Sequence, residues 1–116
     1  MSRILILEDN EERRKIFRQK LIDHDVVFTY LPDETIEKLK SEKWDVLCLD
    51  HDLEGKVYVS PDSGEPTGTD VARFLRDNSE YAPTQIILHS LNESGRKRMS
   101  SYLQQAEEIP FLWNLL

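Results

Sequence analysis

The fold of this chain is decided by the segment RILILEDN at residues 3–10. Its four consecutive apolar side chains, two of them β-branched, indicate a strand that is buried on both faces, as in a parallel sheet. The polar residues Glu8, Asp9 and Asn10 then end the strand. Asn10 is a favourable helix N-cap, so the pattern predicts a helix directly after the loop.

The same alternation of strand and helix continues along the chain. Strands are predicted at residues 3–7, 26–30, 44–49 and 85–89, and helices at about 11–24, from 32, at about 69–79 and at about 92–106. Short helical connections return the chain in the same direction, which favours a doubly wound parallel sheet. With 116 residues, we expect a single α/β domain spanning residues 1–116.

Two segments interrupt this pattern. Residues 54–66 contain two glycines and two prolines, too long a break for an ordinary strand-to-helix connection. They form either a functional lid or binding loop, or a tolerated surface insertion. Residues 109–116, IPFLWNLL, are either a fifth, edge strand or a segment that docks on another subunit, so we expect a homodimer or a docked partner.

Composition excludes several classes of protein. The net charge of −7, from 15 basic and 22 acidic residues, argues against a protein that coats nucleic acid. Accordingly, Arg13, Arg14 and Lys15 are expected to form a solvated helix face. The apolar runs are too short to span a bilayer and no signal peptide is recognisable, so we expect a cytoplasmic protein without membrane contact. The single cysteine, Cys48, lies within a predicted strand and is expected to be a small core residue rather than a nucleophile.

Two histidines each follow a predicted strand, within polar clusters: His51 in LDHDL at 49–53 and His89 in LHSLN at 88–92. In an open α/β sheet, ligands bind beyond the carboxyl ends of the strands, where both clusters would meet. Two imidazoles there can act as general base and general acid in phosphate chemistry. The alternative for His89 is a hydrogen-bonded structural histidine at a strand end.

The residues around the two histidines suggest supporting roles. Asp52 or Asp50 would orient His51, and the start of the fourth helix offers N–H groups and a positive dipole end to a phosphate. The candidate phosphate-binding residues are Ser90, Asn92, Gly95 and Arg96.

The order of elements resembles the receiver domain of two-component response regulators, a flavodoxin-like five-stranded fold. Residues 4–10 resemble the first receiver strand with its acidic pair, and residues 44–50 resemble the third strand ending in the phospho-accepting aspartate. Ser90 falls where receivers carry a hydroxyl residue. By this resemblance Glu8, Asp9 and Asp50 would hold Mg²⁺, which prefers oxygen ligands; no organic cofactor is expected.

The sequence also departs from ordinary receivers. No lysine follows Lys97, Pro110 lacks the lysine that precedes it in receivers, and the last receiver helix is missing. A closer resemblance is to the cyclic-phosphate-processing receiver-like proteins, small bacterial and phage domains. It rests on DHDL at 50–53, TGTD at 67–70, and HSLN at 89–92 with Gly95 and Met99.

Two functions therefore follow from the sequence. The first is a phosphoesterase-like enzyme or binder that acts on the cyclic phosphate of a nucleotide or an RNA end, with His51, His89 and Asp52 as catalytic residues. In a variant of this hypothesis, His51, Asp50 and Asp9 bind a transition ion that activates water. The second is a non-catalytic, receiver-like signalling or interaction module in which Asp50 is the phospho-acceptor.

Overall fold

The chain alternates strand and helix from its first element onward. The structure, a computed structural model, describes residues 2–52 and 66–109. The strands of this part are β1 (Arg3–Leu7), β2 (Asp25–Thr29), β3 (Val46–Leu49), β4 (Gln85–Leu88) and β5 (Glu107–Glu108). The α-helices of this part are α1 (Glu11–Lys20), α2 (Pro32–Ser41), α3 (Gly68–Asp77) and α4 (Glu93–Tyr102).

The strands form one parallel sheet in the order β2-β1-β3-β4-β5. Leu7 of β1 is in register with Leu49 of β3, which is in register with Leu88 of β4. The three central strands therefore end at one level, and the residue after each strand faces the same edge of the sheet. This arrangement confirms the predicted flavodoxin-like, receiver-like α/β fold.

Helices cover both faces of the sheet, because successive side chains of a strand point to opposite faces. Leu5 and Leu7 belong to an apolar cluster that includes side chains of α2, α3 and α4. Ile4 and Ile6 belong to a second cluster, with Phe17 of α1. The alternation within β1 thus explains why its sequence is continuously apolar, and the sheet is doubly wound as predicted.

Helix α1 ends at Lys20, earlier than the predicted end near residue 24. The N–H of Leu21 still donates to the carbonyl of Phe17, but the chain then turns and the N–H of His24 donates to the carbonyl of Leu21. This turn is needed because the chain must reverse to run parallel to β1 in β2. His24 is exposed, and its Nδ1 accepts a hydrogen bond from the N–H of Ser2 at 3.0 Å.

Helix α4 also ends early, at Tyr102 instead of near residue 106. Leu103 is buried in the core, and a turn in which the N–H of Ala106 donates to its carbonyl leads into β5. The fifth strand therefore lies at Glu107–Glu108, before the segment predicted to form it. Pairing with β4 outweighs the low strand propensity of two glutamates. Residues 110–116 lie outside the described part, so docking of that segment stays a prediction.

Cys48 is buried between the sheet and α1, and burial raises the pKa of its thiol to about 12. A thiol with this pKa is protonated at neutral pH, in agreement with the predicted core role. The predicted lid or surface insertion lies almost wholly at 53–65, outside the described residues. None of the helices described is long and apolar enough to cross a bilayer.

Candidate functional site

Three buried polar residues meet where the central strands end. Glu8 follows β1, Asp50 follows β3 and His89 follows β4, with exposed fractions of 0%, 2% and 2%. Each offers one ligand atom, and these atoms lie within 4.8 Å of one another. His89 Nε2 is 3.0 Å from Glu8 Oε1. The common register of the strands is what brings these three side chains together; they are called the strand-end cluster below.

A cation from α1 reaches this cluster. Arg13 lies in the first turn of α1, where Asn10 Oδ1 accepts its backbone N–H at 3.0 Å. Its guanidinium Nε is 3.2 Å from Glu8 Oε1, and its Nη2 is 3.7 Å from Asp50 Oδ2. The side chain is 18% exposed. A helical side chain leans toward the N-terminus of its helix, which directs Arg13 back over the strand ends.

The prediction of a solvated Arg13–Arg14–Lys15 face is therefore wrong for two of the three residues. Arg14 is buried, donates to the Tyr30 hydroxyl and has its guanidinium 4.9 Å from the Phe28 ring centroid. Only Lys15 is exposed. The run of three basic residues suggested a solvated helix face. An arginine side chain can nevertheless bury its methylene groups and stack its planar guanidinium on aromatic rings.

The carboxyl group of Glu8 is held in its charged form. Burial by itself would raise its pKa, but the hydrogen bond with His89 and the charges of His89 and Arg13 act in the opposite direction, as does the N–H of Asn10. The net effect lowers the pKa of Glu8 below 4.5. Glu8 is therefore a buried anion that is stabilised by its partners.

Asp50 behaves in the opposite way. Burial raises its pKa from 3.8 to about 7, and the negative charge of Glu8 adds to this, although His89, Arg13 and the Ser90 hydroxyl lower it. Its Oδ1 accepts the N–H of His51 at 2.9 Å, whereas its buried Oδ2 has no hydrogen-bond partner in the described part of the chain. Asp50 is thus incompletely neutralised by the described part of the protein, which is a feature of sites that accept a further cation.

A second cluster surrounds His51, whose side chain is fully buried. Its Nδ1 is 3.0 Å from Asp52 Oδ1 and 3.4 Å from Asn92 Nδ2, and Asn92 Nδ2 also donates to Asp52 Oδ1 at 2.9 Å. His51 Nε2 is buried and has no hydrogen-bond partner among the described residues. Of the two residues predicted to orient His51, Asp52 contacts its ring at Nδ1, and its catalytic role stays a prediction.

Two glycines are required by this packing. A Cβ at Gly95 would lie 2.3 Å from Cγ of the His51 ring, and a Cβ at Gly68 would lie 2.0 Å from the carbonyl oxygen of Asp50. The start of α4 thus packs directly on His51, and the start of α3 packs on the loop after β3. Asn92 caps α4 by accepting the N–H of Gly95 at 3.1 Å. Gly95, a predicted phosphate-binding residue, thus lies against the imidazole.

The predicted site residues fall into these two clusters with few exceptions. Two of the three predicted metal ligands, Glu8 and Asp50, belong to the strand-end cluster. The third member of this cluster is His89. Asp9 is half-buried at the end of β1 and is not part of the strand-end cluster. The imidazoles of His51 and His89 bond to different partners, so their role as an acid–base pair stays a prediction.

The predicted phosphate-binding residues lie at the start of α4. Ser90 and Asn92 are buried there. Arg96 donates from Nη1 to the Ser90 carbonyl at 2.9 Å and from Nε to Glu108 Oε1 at 3.1 Å, so it connects α4 with β5. Sequence reasoning assigned Arg13 to a solvated helix face and so missed its contact with the strand ends; its position three residues after the N-cap was the available signal.

The strand-end cluster fits a divalent cation. Two carboxylates and one imidazole form the donor set, and Asp50 Oδ2 is a buried oxygen that no described residue hydrogen-bonds. Carboxylates suit Mg²⁺ and Mn²⁺, and imidazole adds affinity for the later transition ions.

Comparison with known proteins agrees with this fold. A family model described as "Cyclic-phosphate processing Receiver domain" matches residues 3–105. No curated protein matches the chain. Solved structures of response regulators share its fold.

The response regulator TrrA of Thermotoga maritima, in complex with Mg²⁺ and BeF, has a TM-score of 0.73 and 21% identity, with 98% of this chain and 90% of that chain covered. The phosphorylated cyanobacterial phytochrome response regulator RcpA has a TM-score of 0.75 and 18% identity, covering 98% and 83%. The Mn²⁺-bound response regulator Rcp1 has a TM-score of 0.74 and 16% identity, covering 99% and 84%. At these identities the likeness concerns the fold.

Proposed function

Because this chain belongs to the family of cyclic-phosphate-processing receiver domains, we propose that it is a receiver-like signalling module that binds a divalent cation and a phosphoryl group. The observation that carries this proposal is the convergence of Glu8, Asp50 and His89 at one level of the sheet. The proposal draws further support from neighbours of the same fold that hold Mg²⁺ with BeF, or Mn²⁺.

Each residue of the strand-end cluster has a distinct role in this proposal. Glu8 and Asp50 are the anionic ligands, and His89 is either the third ligand or the group that orients Glu8. A bound cation would supply a positive charge that keeps the Asp50 carboxylate ionised. The same charge would neutralise the phosphoryl oxygens. Asp50 would then attack the phosphorus of a phosphodonor through one oxygen, forming an acyl phosphate as the leaving group departs.

The raised pKa of Asp50 explains why a cation matters for this step. With a pKa of about 7, much of this carboxyl group carries a proton at neutral pH. A protonated carboxyl group is a poor nucleophile, so the nucleophile would become fully available only when a positive charge compensates for burial.

A second function, hydrolysis of a cyclic phosphate, is favoured by the family description and by His51. The buried Nε2 of His51 lacks a hydrogen-bond partner among the described residues, and Asp52 orients the ring from Nδ1. Such an imidazole is suited to moving a proton to or from a bound phosphodiester. In this proposal His89 serves as the complementary acid or base, and the start of α4 binds the phosphate.

The two functions are separated by one set of experiments on the purified chain. Titration calorimetry with MnCl₂ or MgCl₂ alone measures cation binding, and intact-mass spectrometry after incubation with acetyl phosphate detects a phosphorylated protein. We expect cation-dependent labelling of the wild type and none in Asp50→Asn. Asp23→Asn, which removes the same charge at an exposed position, is the control.

Turnover of 2′,3′-cyclic nucleotides and of oligonucleotides with cyclic ends tests the second function. Activity that is lost in His51→Ala and His89→Ala would establish hydrolysis, whereas activity unchanged in both variants removes the proposed acid and base. Absence of both cation binding and labelling in the wild type would refute the receiver-like proposal.

Two further expectations concern assembly and location. A homodimer through residues 111–116 stays a proposal, because that segment lies outside the described residues. A cytoplasmic location stays a proposal as well. Light scattering of the full chain, compared with a variant that lacks 111–116, tests the dimer. A monomer in both cases at micromolar concentration would contradict it.

A further inference from the structure

Arg13 occupies a position that the sequence did not reveal and that the proposed roles above do not use. Its side chain extends from the first turn of α1 over the ends of β1 and β3, and it is 18% exposed. It forms ion pairs with both carboxylates of the strand-end cluster. The guanidinium of Arg13 thus places a positive charge beside the site where a divalent cation would be held.

The two ion pairs of Arg13 are unequal. Nε lies 3.2 Å from Glu8 Oε1, but Nη2 lies 3.7 Å from Asp50 Oδ2, beyond hydrogen-bond distance. The ion pair of the guanidinium with Glu8 is therefore the closer of the two, and its ion pair with Asp50 is the longer one. The longer ion pair leaves the Asp50 carboxylate less closely paired with the guanidinium than Glu8 is.

A divalent cation and this guanidinium would compete for the same oxygens. Glu8 Oε1 already faces both His89 Nε2 and Arg13 Nε, so a cation held by the carboxylates weakens the attraction between Arg13 and Glu8. The displaced guanidinium stays at the strand ends, because α1 fixes its backbone through the Asn10 cap. A planar guanidinium donates two parallel hydrogen bonds to phosphoryl oxygens, a geometry that an ammonium group lacks.

We propose that Arg13 is the phosphoryl-recognition residue of this site: its guanidinium neutralises Glu8 and Asp50 when no divalent cation is bound, and it contacts the phosphoryl oxygens when one is. This inference rests on the proposed binding of a cation and a phosphoryl group at the strand-end cluster.

Other basic residues near the strand ends have different partners. Arg96 bonds to the Ser90 carbonyl and to Glu108, and Lys97 bonds to Glu108 as well. No lysine follows Lys97 in the sequence. Among the basic residues that the structure describes, Arg13 is therefore the one that forms ion pairs with two members of the strand-end cluster.

Two titrations on the full chain test this inference, with Arg13→Gln and Arg13→Lys as variants. Lys15→Gln is the matched control, because it removes a positive charge from an exposed position two residues further along α1. The first titration measures the affinity for Mn²⁺ alone. The second measures the affinity for beryllofluoride, a phosphoryl analogue, in saturating Mn²⁺. Circular dichroism confirms that each variant is folded.

The inference predicts opposite changes in the two titrations. Arg13→Gln should bind Mn²⁺ about 3- to 10-fold more tightly, because the competing cation is gone, and should bind beryllofluoride about 10-fold or more weakly, because a charge-assisted contact is lost. Arg13→Lys should retain wild-type Mn²⁺ affinity within about 3-fold and still bind beryllofluoride more weakly. Lys15→Gln should match the wild type in both.

Unchanged beryllofluoride affinity in both Arg13 variants would overturn the inference, and so would Mn²⁺ affinity that is not increased in Arg13→Gln. Either result leaves the proposed function intact as long as the wild type binds Mn²⁺ and Asp50→Asn does not. If the wild type itself binds neither probe, the proposed function fails first, so the two failures are distinguishable.

Discussion

Replacing Asp50 with asparagine should stabilise the cation-free protein at alkaline pH. The carboxyl group is 2% exposed, and burial raises its pKa from 3.8 to about 7. Asparagine has nearly the same shape, can still accept the His51 N–H through its side-chain oxygen, and carries no charge to bury. The variant therefore resembles the wild-type protein with Asp50 protonated.

The difference between the two pKa values sets the size of the effect. At about 1.4 kcal/mol for each pH unit, the interval from 3.8 to about 7 corresponds to about 4 kcal/mol. Because the folded-state pKa is the higher one, the contribution to stability is fully present below pH 3.8 and is lost as the pH rises through about 7. The stability gain of Asp50→Asn should thus be about 4 kcal/mol at pH 8 and about 1–2 kcal/mol at pH 5.

Urea unfolding in the presence of EDTA at pH 5 and pH 8 measures this gain through the free energy of unfolding. Asp23→Asn is the control, and it should shift stability by no more than about 0.5 kcal/mol at either pH, since Asp23 is exposed. If Asp50→Asn raises the free energy of unfolding equally at the two pH values, or lowers it at pH 8, the electrostatic reasoning is refuted. Either result would show that Asp50 is neutralised in the folded state.

Three other outcomes follow from the contacts. Gly95→Ala should lower the free energy of unfolding by about 1–3 kcal/mol or more, because the new Cβ would lie 2.3 Å from Cγ of His51. An unchanged midpoint of urea unfolding would show that α4 can move away from the ring. Asn92→Ala should cost about 2 kcal/mol, since it removes the α4 cap and the hydrogen bond to Asp52; a loss below about 0.5 kcal/mol would contradict this. MnCl₂ should raise the melting temperature of the wild type more at pH 8 than at pH 5, because protons compete for Asp50; equal increases, measured by scanning calorimetry, would place the ion elsewhere.

Much of the fold could be predicted from the sequence because the strands carry strong local signals. The apolar run of β1 and the polar residues that follow it predict both a buried strand and its end. The boundaries of α1 and α4 were less predictable, since the turns after Lys20 and Tyr102 are set by where the chain must re-enter the sheet. Likewise, two adjacent glutamates form β5 only because β4 offers a free edge.

The candidate site was predictable in most of its members, Arg13 and Asp9 excepted, but not in its contacts. The sequence by itself determined that Glu8, Asp50, His51 and His89 follow strands, and hence that they lie at the carboxyl end of a parallel sheet. That placement depends on local patterning, which is present in the order of residues.

Only the tertiary structure decided which of these side chains meet. Strand register places His89 beside Glu8 and Asp50. The packing of α4 places Asn92 and Gly95 against His51. The contribution of Arg13 depends on the direction in which α1 leaves the end of β1. These contacts join residues far apart in the chain, so their partners are defined by the packing of strands and helices and not by sequence spacing.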